Sequence, residues 1–440
     1  MNISRRSLAL LAADLLCILL SYQAATYLRA GGWSAQDLLH PYFILCLFIL
    51  PLTLYIFDLY HPFRSFHRAE TGAEVLLCGF FGVFLLSLCS YLSKGFLIPR
   101  PVFVYQMIFF CVGVFVARRI YDFIFSYRML DKKTLIIGTG PLAREIAGVI
   151  RRTAHSGMDI VGFVSETGRG NEEKASVVGD LGKLLSLVSW YKAQLVVLAL
   201  EEKSKASEAE LAKMLLTHPV SVTSAIHLFE KLEGAIPFRV ISDHYLLDLM
   251  SEVRLRNYLK FKRFADLLVS SVLLALLSPV LLLAVFLLSF EGIHRIFFVQ
   301  ERIGRDGMSF RLIKLRTMSE GRGKKPRVTA IGKWLRKYRV DEIPQLLNVL
   351  KGDMSLIGPR PEIQFFVKRC QEKIPFYSVT FAVRPGLTGW AQVKFRYTLS
   401  EKDYERKFCY NLYYLKNISP QLDLEILLKT VHSVLLGRGV

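Results

Sequence analysis

Acidic side chains are scarce in this chain. Its 37 Asp and Glu stand against 57 Lys and Arg, a formal charge of +20 over 440 residues. A field of that sign favours phosphates, anionic lipid headgroups or nucleic acid. The seven cysteines form no framework and no C-x-x-C occurs, which argues against zinc and structural disulfides and fits thiols in a reducing compartment. Helix-turn-helix and zinc signatures are lacking as well, which leaves a nucleic-acid-binding membrane regulator resting on charge alone. A membrane-bound, nucleotide-dependent oxidoreductase or epimerase would need a Tyr-x-x-x-Lys base, and the "YKAQ" at Tyr191 does not supply one. The first apolar run has no small-residue cleavage site, so it reads as an anchor and not as a removed signal peptide.

Apolar residues, in contrast, are abundant: 52% of the chain, with a mean hydropathy of +0.35. Four early stretches, roughly 7–28, 41–60, 73–93 and 101–126, are each about long enough to cross a hydrocarbon core. Basic residues flank them unevenly: Arg5 and Arg6 before the first, "HPFRSFHRAE" between the second and third, and "ARRIYDFIFSYRMLDKK" across the end of the fourth. The positive-inside rule then places the N-terminus, the second loop and everything after the fourth span in the cytoplasm, with Lys94 and Arg100 as countersigns in the third loop. A fifth run, "FADLLVSSVLLALLSPVLLLAVFLLSF" at 264–290, has basic clusters on both sides, and a spanning helix would export one of them. Ser278-Pro279 lies at its midpoint, where proline removes a donor and crowds the preceding turn. The expectation is a helix-break-helix hairpin over 262–290 that dips into the inner leaflet and returns; an ordinary kinked span is the alternative.

From Lys132 the texture becomes soluble. "KKTLIIGTGPLAREIAGVI" reads as strand, glycine turn, helix, and Gly138, Gly140 and Ala143 give G-x-G-x-x-A, a form that admits a pyrophosphate at a helix N-terminus. "DIVGFVS" and "AQLVVLAL" read as strands between the helical "LGKLLSLVSWY" and "SEAELAKMLLTH", a doubly wound parallel pattern over roughly 131–250. Glu166 falls near where an acidic ribose partner would stand. A lone glycine fingerprint is equally the mark of a structural or regulatory domain that needs no cofactor.

Residues 251–440 hold 33 Lys and Arg against 16 Asp and Glu, and 302–339 alone holds 13 against 2. Directly after that basic run comes "VDEIPQLLNVLKGDMSLIGPRPE". It reads as a helix start, with Asp341 as cap and Pro344 in the first turn. Adjacent helical side chains diverge by about 100°, so one carboxylate can attack phosphorus while the other engages Mg2+. Neighbouring Arg and Lys would neutralise substrate phosphates and the charge of the transition state. The stiff Pro359-Arg360-Pro361 would present a guanidinium suited to bidentate phosphate recognition. Simple capping is the bland reading of an Asp-Glu pair, and the basic surroundings weigh against it.

Residues 258–440 closely resemble the bacterial sugar transferases that move a hexose 1-phosphate from a UDP-sugar to polyprenyl (undecaprenyl) phosphate. The resemblance is carried, in order, by "KRFADLL", "FFVQERIGRDG", "FRLIKLRTM", "RVTAIGKWLRKYRVDEIPQLLNVLKGDMSLIGPRPE", "RPGLTGWAQV" and "DLEILLKTV". Four spans and a Rossmann-like module before this core resemble the long members, and the ending "NLYYLKN…DLEILLKTVHSVLLGRG" resembles the branch associated with exopolysaccharide. The fold expected is a membrane protein with a helical transmembrane region at 1–130, a CoA-binding-like α/β domain at 131–250, and a mostly helical catalytic domain at 251–440 with a re-entrant membrane helix.

The resemblance implies roles position by position. Asp341 matches the nucleophile, with Glu342 as its dyad partner, and the pair would stand at Mg2+. Lys314, Arg316, Thr317, Arg336 and Arg360 match phosphate or substrate contacts. Lys262, Arg263 and Asp266 match the polar approach to the re-entrant helix, and Ser278-Pro279 its breakpoint. The chain departs at Leu315, where phenylalanine is commoner, and at "KFRY" after "GWAQV", which puts the sugar in doubt. Partners so implied are a UDP-sugar, polyprenyl phosphate and membrane lipid, without nucleic acid, at the bacterial inner membrane. The resemblance leaves room for a homo-oligomer.

Overall fold

The computed structural model describes residues 5–32, 40–60, 64, 66, 69–92, 100–126, 131–153, 155–165, 177–200, 208–216, 218–241, 254–291, 295–319, 327–374, 376–395 and 401–437. Contacts divide the chain into two compact units, Met1–Glu233 and Gly234–Val440.

The first unit begins with apolar helices α1 (Arg5–Ala30), α2 (Pro41–Ile56), α3 (Ala69–Leu92) and α4 (Arg100–Ser126). Three contain windows long and apolar enough to cross a membrane, Arg6–Arg29, Thr71–Tyr91 and Pro101–Phe125. The span expected at 41–60 is shorter than predicted. Its helix has 16 residues, with Pro41 at its start and Pro51 inside, or about 24 Å at 1.5 Å per residue, against a core of about 30 Å. Inside this bundle Arg118 grips Asp14 bidentately at 2.9 and 2.7 Å, both side chains fully buried. A buried charge is tolerated only when so paired.

The rest of the unit is α/β: β1 (Lys132–Ile137), α5 (Pro141–Arg152), β2 (Met158–Ser165), β3 (Val177–Asp180), α6 (Leu184–Trp190), β4 (Leu195–Leu198), α7 (Glu208–Leu215), β5 (Ser221–Ser224) and α8 (Ala225–Glu233). The strands pair in parallel in the order β3-β2-β1-β4-β5, the doubly wound arrangement. Leu135, Ile137, Val164, Val196 and Leu198 fill its core. Gly138 has φ +112°, and a Cβ there would meet the Ala199 carbonyl at 2.3 Å. The first fingerprint glycine is thus required by strand packing before any ligand is invoked. Gly140 caps α5 and Ala143 is fully buried on it. Glu166 lies outside the described residues. His155, at φ +53°, ties this layer to the bundle: its Nε2 meets Asp122 Oδ1 at 2.9 Å, and its carbonyl accepts from Arg6.

The second unit takes in Gly234–Ile241, where Ile236 packs with Ile374, Phe408, Leu412 and Leu415. Next comes α9 (Arg254–Phe290), whose apolar window Tyr258–Phe290 is also long enough to cross a membrane. The expected division at Ser278-Pro279 is not seen, because α9 is assigned as one helix of 37 residues with Pro279 inside it. Proline removes only its own donor, and the Ser278 hydroxyl, donating to the Ala275 carbonyl at 2.7 Å, satisfies the acceptor that Pro279 leaves vacant. Beyond α9 are β6 (Phe297–Ile303) and β7 (Ser309–Leu315), an antiparallel hairpin, then α10 (Ala330–Lys337) and a 3₁₀ turn at Val340–Glu342. The chain continues with α11 (Gln345–Lys351), β8 (Ser355–Ile357), α12 (Gln364–Lys373), β9 (Gly386–Thr388), α13 (Trp390–Lys394), α14 (Glu401–Lys416) and α15 (Pro420–Leu435). β8 and β9 pair in parallel.

Candidate active site

The basic hairpin makes one wall of the site. Antiparallel register sets Lys314 opposite Phe298. The Lys314 ammonium lies 5.2 Å from the Phe298 ring centre, and the Arg316 guanidinium, two residues on and on the same face, lies 5.6 Å from it. Arg316 also donates from Nε to the Arg295 carbonyl at 2.9 Å.

The helix α10 closes onto the end of this hairpin. Thr329 caps it by accepting from Gly332 N, and a Cβ at Gly332 would meet the Thr317 carbonyl at 2.3 Å, so only glycine allows the approach. That contact brings Arg336 Nε within 2.7 Å of Thr317 Oγ1, and Thr317 is buried.

Arg339, at φ +55°, then turns the chain into the 3₁₀ segment that carries the acid pair. This corrects the sequence reading. Asp341 is not an N-cap: it stands inside the 3₁₀ turn, and α11 begins only at Gln345, with Pro344 at the cap position. Pro344 has no N–H to give the Val340 carbonyl, which accepts from Ile343 N at 3.2 Å in a 3₁₀ bond, so the acids precede α11 by one turn. Asp341 therefore owes its environment to side chains and burial, not to a long helix behind it.

Asp341 is only 9% exposed. Burial and then the neighbouring Glu342 push its carboxyl up to about 6, while Lys314 and Arg336 pull the other way. Burial lowers the Lys314 pKa, and Asp341 is the strongest of the charges opposing that. Glu342 is held by Arg339 at 3.6 Å and by Arg360 at 3.5 Å. The structure thus brings Lys314, Arg336, Asp341, Glu342 and Arg360 to one place, with Thr317 as support for Arg336.

Arg360 is positioned by a rigid crossing of two glycine-containing loops. Gly358 N donates to the Thr388 carbonyl and Gly386 N to the Pro359 carbonyl, both at 2.9 Å. A Cβ at Gly358 would meet the Arg384 carbonyl at 2.4 Å, and one at Gly386 would meet Gly358 N at 2.1 Å. The strings "IGPRP" and "RPGLTG" lock together backbone to backbone. Two small cavities adjoin this loop, and both are lined by Arg360, Glu362, Tyr377 and Asn411.

Three supporting residues were not singled out in the sequence. Asn348, fully buried, accepts from Ile313 N and donates to the Arg311 carbonyl, clamping α11 to β7. Glu362 bridges Lys407 at 3.1 Å and Arg302 at 3.7 Å. Asp423 pairs with Lys262 and accepts from the Tyr258 and Tyr414 hydroxyls at 2.6 and 2.9 Å. Only the apolar period following Asp423 in "DLEILLKTV" hinted that a carboxylate there would face inward. At the foot of α9, Arg263 donates to the Val349 and Leu350 carbonyls, and Asp266 accepts from Leu356 N at 3.1 Å. Ser278 and Pro279 belong to the long helix and not to this cluster, and Gly138, Gly140 and Ala143 lie in the other unit.

The profile of the bacterial sugar transferase family matches residues 257–437, and that of a CoA-binding domain matches 55–225. A UDP-galactose-lipid carrier transferase of Erwinia amylovora is 30% identical over 342 residues, 71% of this chain and 70% of its own. An uncharacterized sugar transferase of Haemophilus influenzae is 30% identical over 336 residues, 70% of each. The chain belongs to the bacterial sugar transferase family. A UDP-N-acetylgalactosamine-undecaprenyl-phosphate N-acetylgalactosaminephosphotransferase of Aeromonas hydrophila is 38% identical over 255 residues, and that match spans 56% of this chain and only 59% of the relative's own length. The part matched by the family profile contains every residue gathered around Asp341, whereas the CoA-binding profile takes in α3, α4 and all five strands of the parallel sheet.

Proposed function

We propose that this protein transfers a hexose 1-phosphate from a UDP-sugar to polyprenyl phosphate, at the cytoplasmic face of a bacterial inner membrane, as the initiating step of a surface glycan. The observation that carries the reading is a buried aspartate near pKa 6, flanked by a second carboxylate and faced by Lys314 and Arg336. At neutral pH such a group is ionised yet poorly solvated, which makes it a competent nucleophile.

In the first half-reaction an Asp341 carboxylate oxygen bonds to the β-phosphorus of the donor. The bond from that phosphorus to the bridging oxygen breaks, and UMP leaves with the electron pair. Lys314 and Arg336 lie where charge gathers on the phosphoryl oxygens. Arg360, on its locked loop, would fork onto the diphosphate from the side of the two cavities beside it. In the second half-reaction an oxygen of polyprenyl phosphate attacks the same phosphorus and releases Asp341. The sugar's C1–O bond is untouched, so anomeric configuration is retained and the kinetics are ping-pong.

Mg2+ fits this donor set. Among the described residues no group of three or more His, Cys, Asp or Glu could hold a metal unaided. Mg2+ is commonly held by one or two carboxylates with the remainder from phosphate and water, and Glu342 with Asp341 would supply the protein's share. When bound it would neutralise charge on the donor diphosphate.

The re-entrant course of α9 is part of the proposal. Asp266, near its start, accepts from Leu356 N, and Glu291, just past its end, accepts from Ile331 N at 3.0 Å. Among the described residues from 291 to 440 no helix is long and apolar enough to cross a membrane. On this reading Ile331 and Leu356 would lie on one side of the bilayer, and so would both ends of α9. A bend at Pro279 satisfies that, and a straight crossing does not.

The relatives' names carry three different hexoses: N-acetylgalactosamine, galactose, and, in a 38%-identical relative of Caulobacter vibrioides, glucose. The proposed donor is accordingly a class, UDP-hexose. The test is exchange of labelled UMP into UDP-sugar without acceptor, over several UDP-sugars with Mg2+ in detergent, together with mass spectrometry of the protein. A hexose-phosphate adduct on Asp341, and loss of exchange in Asp341→Asn, are expected. Exchange at the parental rate in that variant would refute the covalent step.

A further inference from the structure

The foot of α9 presents Leu259, Lys262, Arg263 and Asp266 on one helical face, at the i, i+3, i+4, i+7 spacing. That face closes one side of a small cavity open to solvent, whose other charged walls are Arg305, at the β6–β7 turn, and Arg384, just before β9. Four cations therefore line it against the one carboxylate of Asp266. Most of that charge is already engaged. Lys262 pairs with Asp423, Asp266 accepts from Leu356 N, and Arg263 spends both terminal nitrogens on the Val349 and Leu350 carbonyls at the end of α11.

Arg384 is different. It gives only Nε, to the Gly352 carbonyl at 2.9 Å, and among the described residues its two terminal nitrogens have no partner. Burial, then Arg263 and Arg305, lower its pKa, and Asp266 is the one charge that opposes them, so three guanidiniums crowd one space against a single carboxylate. Arg305 is 48% exposed, paired with its neighbour Asp306 at 3.3 Å. None of Asp341, Lys314, Arg336 or Arg360 lines this cavity.

Its place in the fold says what kind of anion would come. Next to the polar face, on the same turns of α9, Phe261, Phe264 and Leu268 are 61, 65 and 56% exposed. From there the helix is apolar to Phe290. The cavity thus stands where α9 passes from the soluble unit into its lipid-facing stretch, at the depth of phosphate headgroups.

We propose that this cavity binds the phosphate of an anionic phospholipid headgroup, with Arg384 and Arg305 forking onto its oxygens and the acyl chains running along the exposed face of α9. A guanidinium pair suits phosphate oxygens, and the ligand's charge would relieve the crowding of cations. Such a lipid would fix the height of the catalytic unit on the leaflet. The proposal does not depend on the identity of the transferred sugar or on covalent catalysis.

The same chemistry could be met by free phosphate, so the experiment separates the two sources. The full chain, purified in neutral detergent, is titrated with phosphatidylglycerol, with phosphatidylcholine and with inorganic phosphate, and read by native mass spectrometry and by the thermal midpoint. Phosphatidylglycerol should be retained and raise the midpoint, with at least about a tenfold weaker affinity in Arg384→Gln and in Arg305→Gln. The second variant guards against a folding artefact, since Arg305 is half exposed and pairs only with Asp306 among the described residues. Equal retention of phosphatidylcholine, or affinity unchanged in both variants, would overturn the site. Inorganic phosphate that displaces the lipid at equal concentration would overturn the lipid assignment in favour of a soluble anion.

Discussion

Replacing Asp341 with asparagine should stop donor turnover and, at neutral pH, make the protein more stable. The folded-state pKa of Asp341 is about 6, against an ordinary 3.8. A raised pKa means that folding favours the protonated acid. The resulting stability is fully present below about pH 4 and is lost as the pH rises through 6. At pH 7 and above, the ionised carboxylate costs the fold about 2 pK units, on the order of 3 kcal/mol at about 1.4 kcal/mol per unit. Asparagine resembles the protonated acid in size and charge, so Asp341→Asn should recover that amount at pH 8 and almost none at pH 4. For a unit of about 200 residues, each kcal/mol moves the melting point by roughly 2–4 °C, so a rise of roughly 6–12 °C is expected at pH 8. The assay is thermal unfolding of the full chain in detergent at both pH values, with parent and variant side by side. A gain of the same size at pH 4 and pH 8 would show that ionisation is not its cause. A loss at pH 8 would refute the claim that Asp341 is held against its solvation preference.

The same carboxyl should set the acid limb of UMP exchange, near pH 6. Glu342→Gln, which removes the nearest like charge, should move that limb to lower pH, and Lys314→Met, which removes an opposing cation, should move it higher; limbs moving together would contradict the assignment. Arg360→Lys keeps the charge but loses the fork, so the apparent KM for the UDP-sugar should rise by about tenfold or more while binding of the polyprenyl acceptor is unchanged. Asp423→Asn leaves the buried Lys262 ammonium without its carboxylate, and unfolding should be easier by about 3–5 kcal/mol, measured by denaturant titration. Gly358→Ala should disorder the Arg360 loop, since its Cβ would strike the Arg384 carbonyl, and activity should fall more than the melting point.

Local signals carried far in this chain. The membrane helices α1, α3, α4 and α9 follow from unbroken apolar runs, because hydrocarbon burial depends on composition and length and hardly on neighbours. β1, the glycine turn and α5 were legible from a strand-turn-helix pattern, since φ > 0 at Gly138 and a proline in the first turn are local conditions. Where only part of a pattern is local, the reading slipped. The 41–60 run was apolar enough, but its helix stops at Ile56, where the chain turns through Asp58 at φ +58°. At Asp341-Glu342 the composition of a helix start was present, and the 3₁₀ turn was decided by Arg339 and Pro344.

The sequence alone determined the currency of the site: two adjacent carboxylates after a run of cations, beside an apolar segment, which suits phosphate chemistry at a membrane whatever the fold. Tertiary structure alone decided which cations face Asp341, and therefore its pKa. It alone paired Lys262 with Asp423 across 161 positions and Arg118 with Asp14 across 104. The physical reason is that the cost of an ion depends on distance and burial, and neither can be read from separation along a chain.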